Sequence, residues 1–107
     1  MYKINLTPFT VLIRTKEGEQ KEIPYGLTMS LCEVLFNPAL RLNGVNLLKQ
    51  NILAQKILNC TENELLLENS EYQELKNAFE KIEGLSRNDV IMCQRVLEAT
   101  PIEVQEK

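Results

Sequence analysis

The sequence predicts an α+β fold: an N-terminal antiparallel β-hairpin followed by about four short α-helices. Three observations predict it. Residues 9–15 are rich in β-branched and aromatic side chains, which suit a pleated strand. Gly18, in Lys16-Glu17-Gly18-Glu19, provides the conformational freedom of a tight turn. Beyond residue 27 the apolar positions change from alternation to helical spacing, punctuated by Ser, Gly and Pro.

The elements follow in order. Tyr2, Ile4 and Leu6 alternate with Lys3, Asn5 and Thr7, a short strand interrupted by Pro8. Phe9 to Thr15 and Gln20 to Pro24 form the hairpin, with Ile23 the main apolar residue of the return strand. Thr28 is placed to N-cap a first helix, and Leu31, Val34 and Leu35 follow at helical spacing. Asn37-Pro38 ends it, because a residue before proline is pushed out of the α region. A connector with Leu40 and Leu42 closes at Asn43-Gly44. The second helix runs from Val45 to Asn59, with Val45, Leu48 and Ile52 marking its period and Leu53 and Ile57 alongside. Its polar face holds Lys49, Gln50, Gln55 and Lys56. Leu65-Leu66-Leu67 is a short apolar run compatible with extended chain.

Ser70 and Gln73 have the spacing of a capping box for a third helix. Tyr72, Leu75, Ala78, Phe79 and Ile82 give it one apolar stripe. Gly84 should end it as a C′ glycine. The expectation is that Leu75, Phe79 and Ile82 are buried against the hairpin. Ser86, supported by Asp89, caps a fourth helix whose apolar side is Val90, Cys93, Val96 and Leu97; Thr100-Pro101 stops it.

At 107 residues, 44% hydrophobic and 25% charged, the chain fits one globular domain over 1–101 with a short polar tail over 102–107. Its net charge of −3 is uneven. Residues 28–59 sum to +2, with three basic and one acidic; residues 62–83 sum to −5, with seven Glu and two Lys. No apolar run reaches the length of a membrane span. The first residues alternate and lack the apolar stretch of a signal peptide. Cys32, Cys60 and Cys93 are odd in number and widely spaced. They read as free thiols in a reducing cytoplasm.

The chemistry is sparse. With no histidine, the commonest general base and metal ligand is missing. There is no Cys-x-x-Cys pair for zinc and no glycine-rich phosphate loop. The expectation is therefore a non-enzyme without metal or cofactor. Glu62, Glu64, Glu68, Glu71 and Glu74 form the one dense ionisable group, read first as a solvated helix start, second as a face for a basic partner, and last as a metal site, which the lack of Asp and Gly in the stretch disfavours. Helices 71–83 and 87–99, joined by Glu83-Gly84-Leu85-Ser86, superficially match a helix-turn-helix. The acidic helix would face phosphate, which argues against nucleic acid. The first helix is apolar nearly all round, so a second subunit is expected to cover part of it. Met29, Leu35 and Phe36 are the candidate self-association contacts, because they lie off the Leu31–Val34 stripe.

The layout resembles a group of small prophage-encoded proteins found beside phage structural genes. The likeness runs through Leu27-Thr28-Met29-Ser30-Leu31, the amphipathic stretch Leu47 to Ile57, the serine-capped helix with Leu75-Lys76 after an acidic break, and Arg95-Val96-Leu97-Glu98. It covers roughly residues 25–99 and departs at the hairpin. The resemblance implies an assembly or adaptor protein acting through protein–protein contacts, with a virion component as partner. It implies no catalytic residue. The competing expectation is a small regulatory protein that binds nucleic acid or a transcription component through the last two helices.

Overall fold

The sheet at the centre of the molecule joins residues about sixty positions apart. In the computed structural model, which describes residues 1–102, β1 (Tyr2–Asn5) pairs antiparallel with β4 (Glu64–Leu67). The register sets Tyr2 opposite Leu67 and Ile4 opposite Leu65. A strand sends alternate side chains to opposite faces. Ile4, Leu65 and Leu67 therefore point into the core, and Lys3, Leu66 and Glu64 point out. Lys3 and Glu64 pair across the outer face at 3.1 Å. The apolar run at 65–67 thus becomes the partner strand that β1 lacked in the sequence. The rest of the polar tail, residues 103–107, lies outside the described residues.

The hairpin forms as expected from β2 (Thr10–Arg14) and β3 (Gln20–Pro24). Val11 sits opposite Ile23, and Gly18 takes φ +83° in the turn. Its place differs from the expectation. No residue of β2 or β3 is buried. The hairpin is an arm on the body, and the molecule measures 55 × 36 × 22 Å. Its radius of gyration of 15.1 Å exceeds the ~13 Å of a compact chain this long. The reason is composition: Val11, Ile13 and Ile23 share one side with Lys21, and the other side carries Thr10, Leu12, Arg14, Gln20 and Glu22, too little apolar surface to pull the hairpin inward.

Four helices complete the body: α1 (Leu27–Leu35), α2 (Gly44–Asn59), α3 (Asn69–Lys81) and α4 (Val90–Leu97). Helix α3 packs on α1, α4, β4 and the 3-10 turn Pro38–Leu40. Leu75, Phe79 and Ile82 are buried as expected, but in this helical core rather than against the hairpin. Tyr72 stacks on Tyr2 at 3.8 Å and donates its hydroxyl to the Val96 carbonyl at 2.7 Å, tying α3 to both β1 and α4.

The caps move by a few residues, each for a packing reason. Leu27 is buried with Leu31, so α1 begins behind Gly26 and Thr28 lies inside it. Leu67 is held in β4, so α3 starts at once and Glu68 replaces Ser70 as its cap. The Glu71 carboxylate accepts the Glu68 amide at 2.9 Å, giving the box to Glu68 and Glu71. Helix α3 also ends early, at Lys81, and Gly84 takes φ +86° in the loop beyond. The Ser86–Asp89 box forms, with the Ser86 amide 2.9 Å from Asp89 Oδ2, but it caps the 3-10 turn Arg87–Asp89 that leads into α4 rather than α4 itself.

Candidate functional site

Two helices turn a different face to the core than their spacing suggested. On α2 the buried side is Gln50, Leu53, Ala54 and Ile57. Val45, Leu48 and Ile52 point the opposite way, at 65%, 68% and 69% exposure. Leu53 and Ile57 already mark a second stripe, and α1 covers that one. Gln50, read as polar-face, is buried because its amide reaches the Leu35 carbonyl at 3.4 Å. On α4 the core residues are Met92 and Val96, while Val90 and Leu97 are exposed. Sequence reasoning assigned both outward stripes to the core; the signal that separates them is that each helix carries two apolar stripes and one interior can take only one.

The expected contact residues of α1 separate. Met29 and Phe36 are exposed, and Leu35 is fully buried. Leu35 falls one turn after Leu31 and so shares its inward face. It is unavailable to a partner without unfolding.

The acidic residues do not converge. Glu64 pairs with Lys3. Glu68 caps α3, and Glu71 pairs with Lys56 at 2.8 Å while accepting the Glu68 amide. Burial works to raise the Glu71 pKa, but the Lys56 ammonium and the Glu68 amide hold it below the ordinary value. Glu74 borders a polar groove of about 200 Å³ with Lys49, Asn77 and Lys81. Glu62 is free in solvent on the loop before β4. Among the described residues, no group of three His, Cys, Asp or Glu side chains is placed to hold a metal ion. Cys32 donates to the Ala54 carbonyl at 3.8 Å, and burial pushes its pKa up. Cys60 lies against the Glu62 and Glu64 carbonyls.

Arg95 of α4, and Asn88 and Asp89 in the 3-10 turn before it, are tied inward, while Gln94 is exposed. Arg95 donates to the Asn5 and Thr7 carbonyls at 3.2 and 2.6 Å, and its guanidinium lies 4.7 Å from the centre of the Phe9 ring. Asn88 reaches the Leu12 carbonyl at 3.3 Å. Phe9 stacks on Tyr25, whose hydroxyl donates to Asp89 at 2.5 Å. Burial and the Asp89 carboxylate push the Tyr25 pKa up to about 12. Burial also opposes ionisation of Asp89, but the Tyr25 hydroxyl and the Ser86 amide hold its pKa below the usual range. These contacts fasten the hairpin base to α4.

No helix among the described residues is long and apolar enough to cross a membrane. No protein-family model, curated protein or solved structure matches the chain.

Proposed function

We propose that this chain is a non-enzymatic assembly or adaptor protein, of the kind encoded beside phage structural genes, acting through protein–protein contact. The observation that supports this reading is the outward stripe of α2. Val45, Leu48 and Ile52 stand at the i, i+3, i+7 positions through which an amphipathic helix engages a groove or another helix. Burying three such side chains at an interface contributes several kcal/mol, at about 25 cal/mol per Å². Helix α2 has no acidic residue, and with Lys56 paired to Glu71 its exposed charge is Lys49, so the fitting partner is an apolar surface with a carboxylate at its rim. A regulatory role on nucleic acid has less support, since Arg95 and Asn88 are occupied by backbone carbonyls and α3 is acidic.

The test is co-expression of the tagged chain with the products of its neighbouring genes. One such product should co-purify with the wild type and be lost from the Leu48→Glu/Ile52→Glu variant at an unchanged melting temperature. Retention by both, or by neither, overturns the proposal.

A further inference from the structure

Helix α4 presents a second apolar surface with a different symmetry. Val90 and Leu97 are seven residues apart and point outward, at 49% and 42% exposure. With Leu85 and Cys93 they line a shallow depression of about 400 Å³, bordered by Gln94 and Glu98. Residues seven apart lie on one stripe of a helix. The midpoint of this stripe falls between Cys93 and Gln94.

We propose that two copies of the chain pair through this stripe, with their α4 helices antiparallel about a two-fold axis passing between Cys93 and Gln94. A two-fold contact requires a surface that is its own complement, and the stripe meets that requirement in three ways. Val90 of each copy meets Leu97 of the other. Gln94, beside the axis, carries both a donor and an acceptor, so its amide can bond its own copy. Arg87 precedes the stripe and Glu98 ends it, and both are exposed. At about 1.5 Å per residue in α4 and about 2.0 Å in the 3-10 turn Arg87–Asp89 that leads into it, antiparallel pairing brings Arg87 of one copy level with Glu98 of the other to within roughly 5 Å along the axis, a gap the two long side chains span. Parallel pairing would set like charges together.

The remaining charges of the segment do not contest this arrangement. Asp89 is held by Tyr25 and Ser86, and Arg95 by the carbonyls of Asn5 and Thr7. The α2 stripe lacks the property. Lys56 is paired with Glu71, and the exposed charge beside the stripe is Lys49, with no acidic residue on α2 to complement it in a second copy. Exposed Ile91 and Leu85 widen the α4 patch, yet it stays small, which places the dimer among weak and reversible ones.

The full-length chain is tested by light scattering and sedimentation, and by a short bis-maleimide that bridges nearby thiols. A covalent dimer should form in the wild type and be lost in Cys93→Ser. Leu97→Glu should raise the dimer dissociation constant at least about tenfold, because it places an unpaired charge in the contact. Arg87→Glu should weaken the dimer, and Arg87→Glu with Glu98→Arg should restore it. Both charged residues are exposed, so this swap decides the matter even if Leu97→Glu disturbs folding. Leu48→Glu on α2 should leave the dimer intact, which separates this result from that of the adaptor proposal. A wild-type chain that stays monomeric at roughly 500 µM, far above the concentrations of specific dimers, overturns the proposal. So does a dimer indifferent to the charge swap.

Discussion

Ile4→Ala set against Ile23→Ala asks which strand pair belongs to the core. Ile4 is fully buried in β1, facing the same interior as Leu65 and Leu67. Removing its three outer carbons costs about 2.4 kcal/mol at ~0.8 kcal/mol per methylene. The cavity left behind raises this to about 3–4 kcal/mol. Ile23 sits on the hairpin arm, where it is only partly covered. Its truncation should cost about 1 kcal/mol or less. A domain of this size has about 5–15 kcal/mol in all, so the first substitution removes a large fraction and the second little. In urea, with a slope of about 1–2 kcal/mol per molar, Ile4→Ala should lower the midpoint by roughly 2–3 M and Ile23→Ala by under about 1 M. Equal losses would refute the reasoning, because the hairpin would then have to be packed into the body.

Further expectations can be measured on the same protein. Gln50→Met should change stability by less than about 1 kcal/mol in urea melts, since one long hydrogen bond to Leu35 is exchanged for apolar volume. Asp89 and Glu71 both have pKa values lowered by folding. Their contribution is therefore present above the ordinary carboxylate values and lost as pH falls through the folded ones, so thermal stability should drop below about pH 4. Asp89→Asn should flatten part of that acid limb. Tyr25 is shifted the other way, so its contribution is full below 10.0 and fades as pH rises through about 12. Tyr25→Phe removes a donor from Asp89, and carboxyl titration by NMR should find the Asp89 pKa higher than in the wild type.

Local signals made the hairpin and the four helices legible. Gly18 fixed the turn, the Ser86–Asp89 box fixed the approach to α4, and the Tyr72–Phe79 stripe fixed α3. The pairing of β1 with Leu65–Leu67 was not legible, because a three-leucine run suits strand and helix alike and its partner lies at the other end of the chain. Nor were the outward stripes. Val45, Leu48 and Ile52 satisfy helical periodicity as well as Gln50, Leu53 and Ile57 do, and only the position of α1 decides between them. Leu35 was misplaced for a similar reason: α1 is apolar on most sides, so periodicity did not single out its surface. The acidic residues dispersed because Glu64 and Glu71 each pair with a lysine and Glu68 caps a helix, leaving Glu62 and Glu74 apart from them.

The β1–β4 ladder also sets the order in which this chain can acquire its structure. Closing a loop of about sixty residues carries an entropic penalty that the four paired positions cannot offset alone. Contacts between α1 and α2 are nearer in sequence and can form first, leaving Ile4 and Leu65 to meet on a surface already assembled. Substitutions at Ile4 should accordingly accelerate unfolding while leaving the refolding rate nearly unchanged. The first strand is then a latch, and its release begins the loss of the fold.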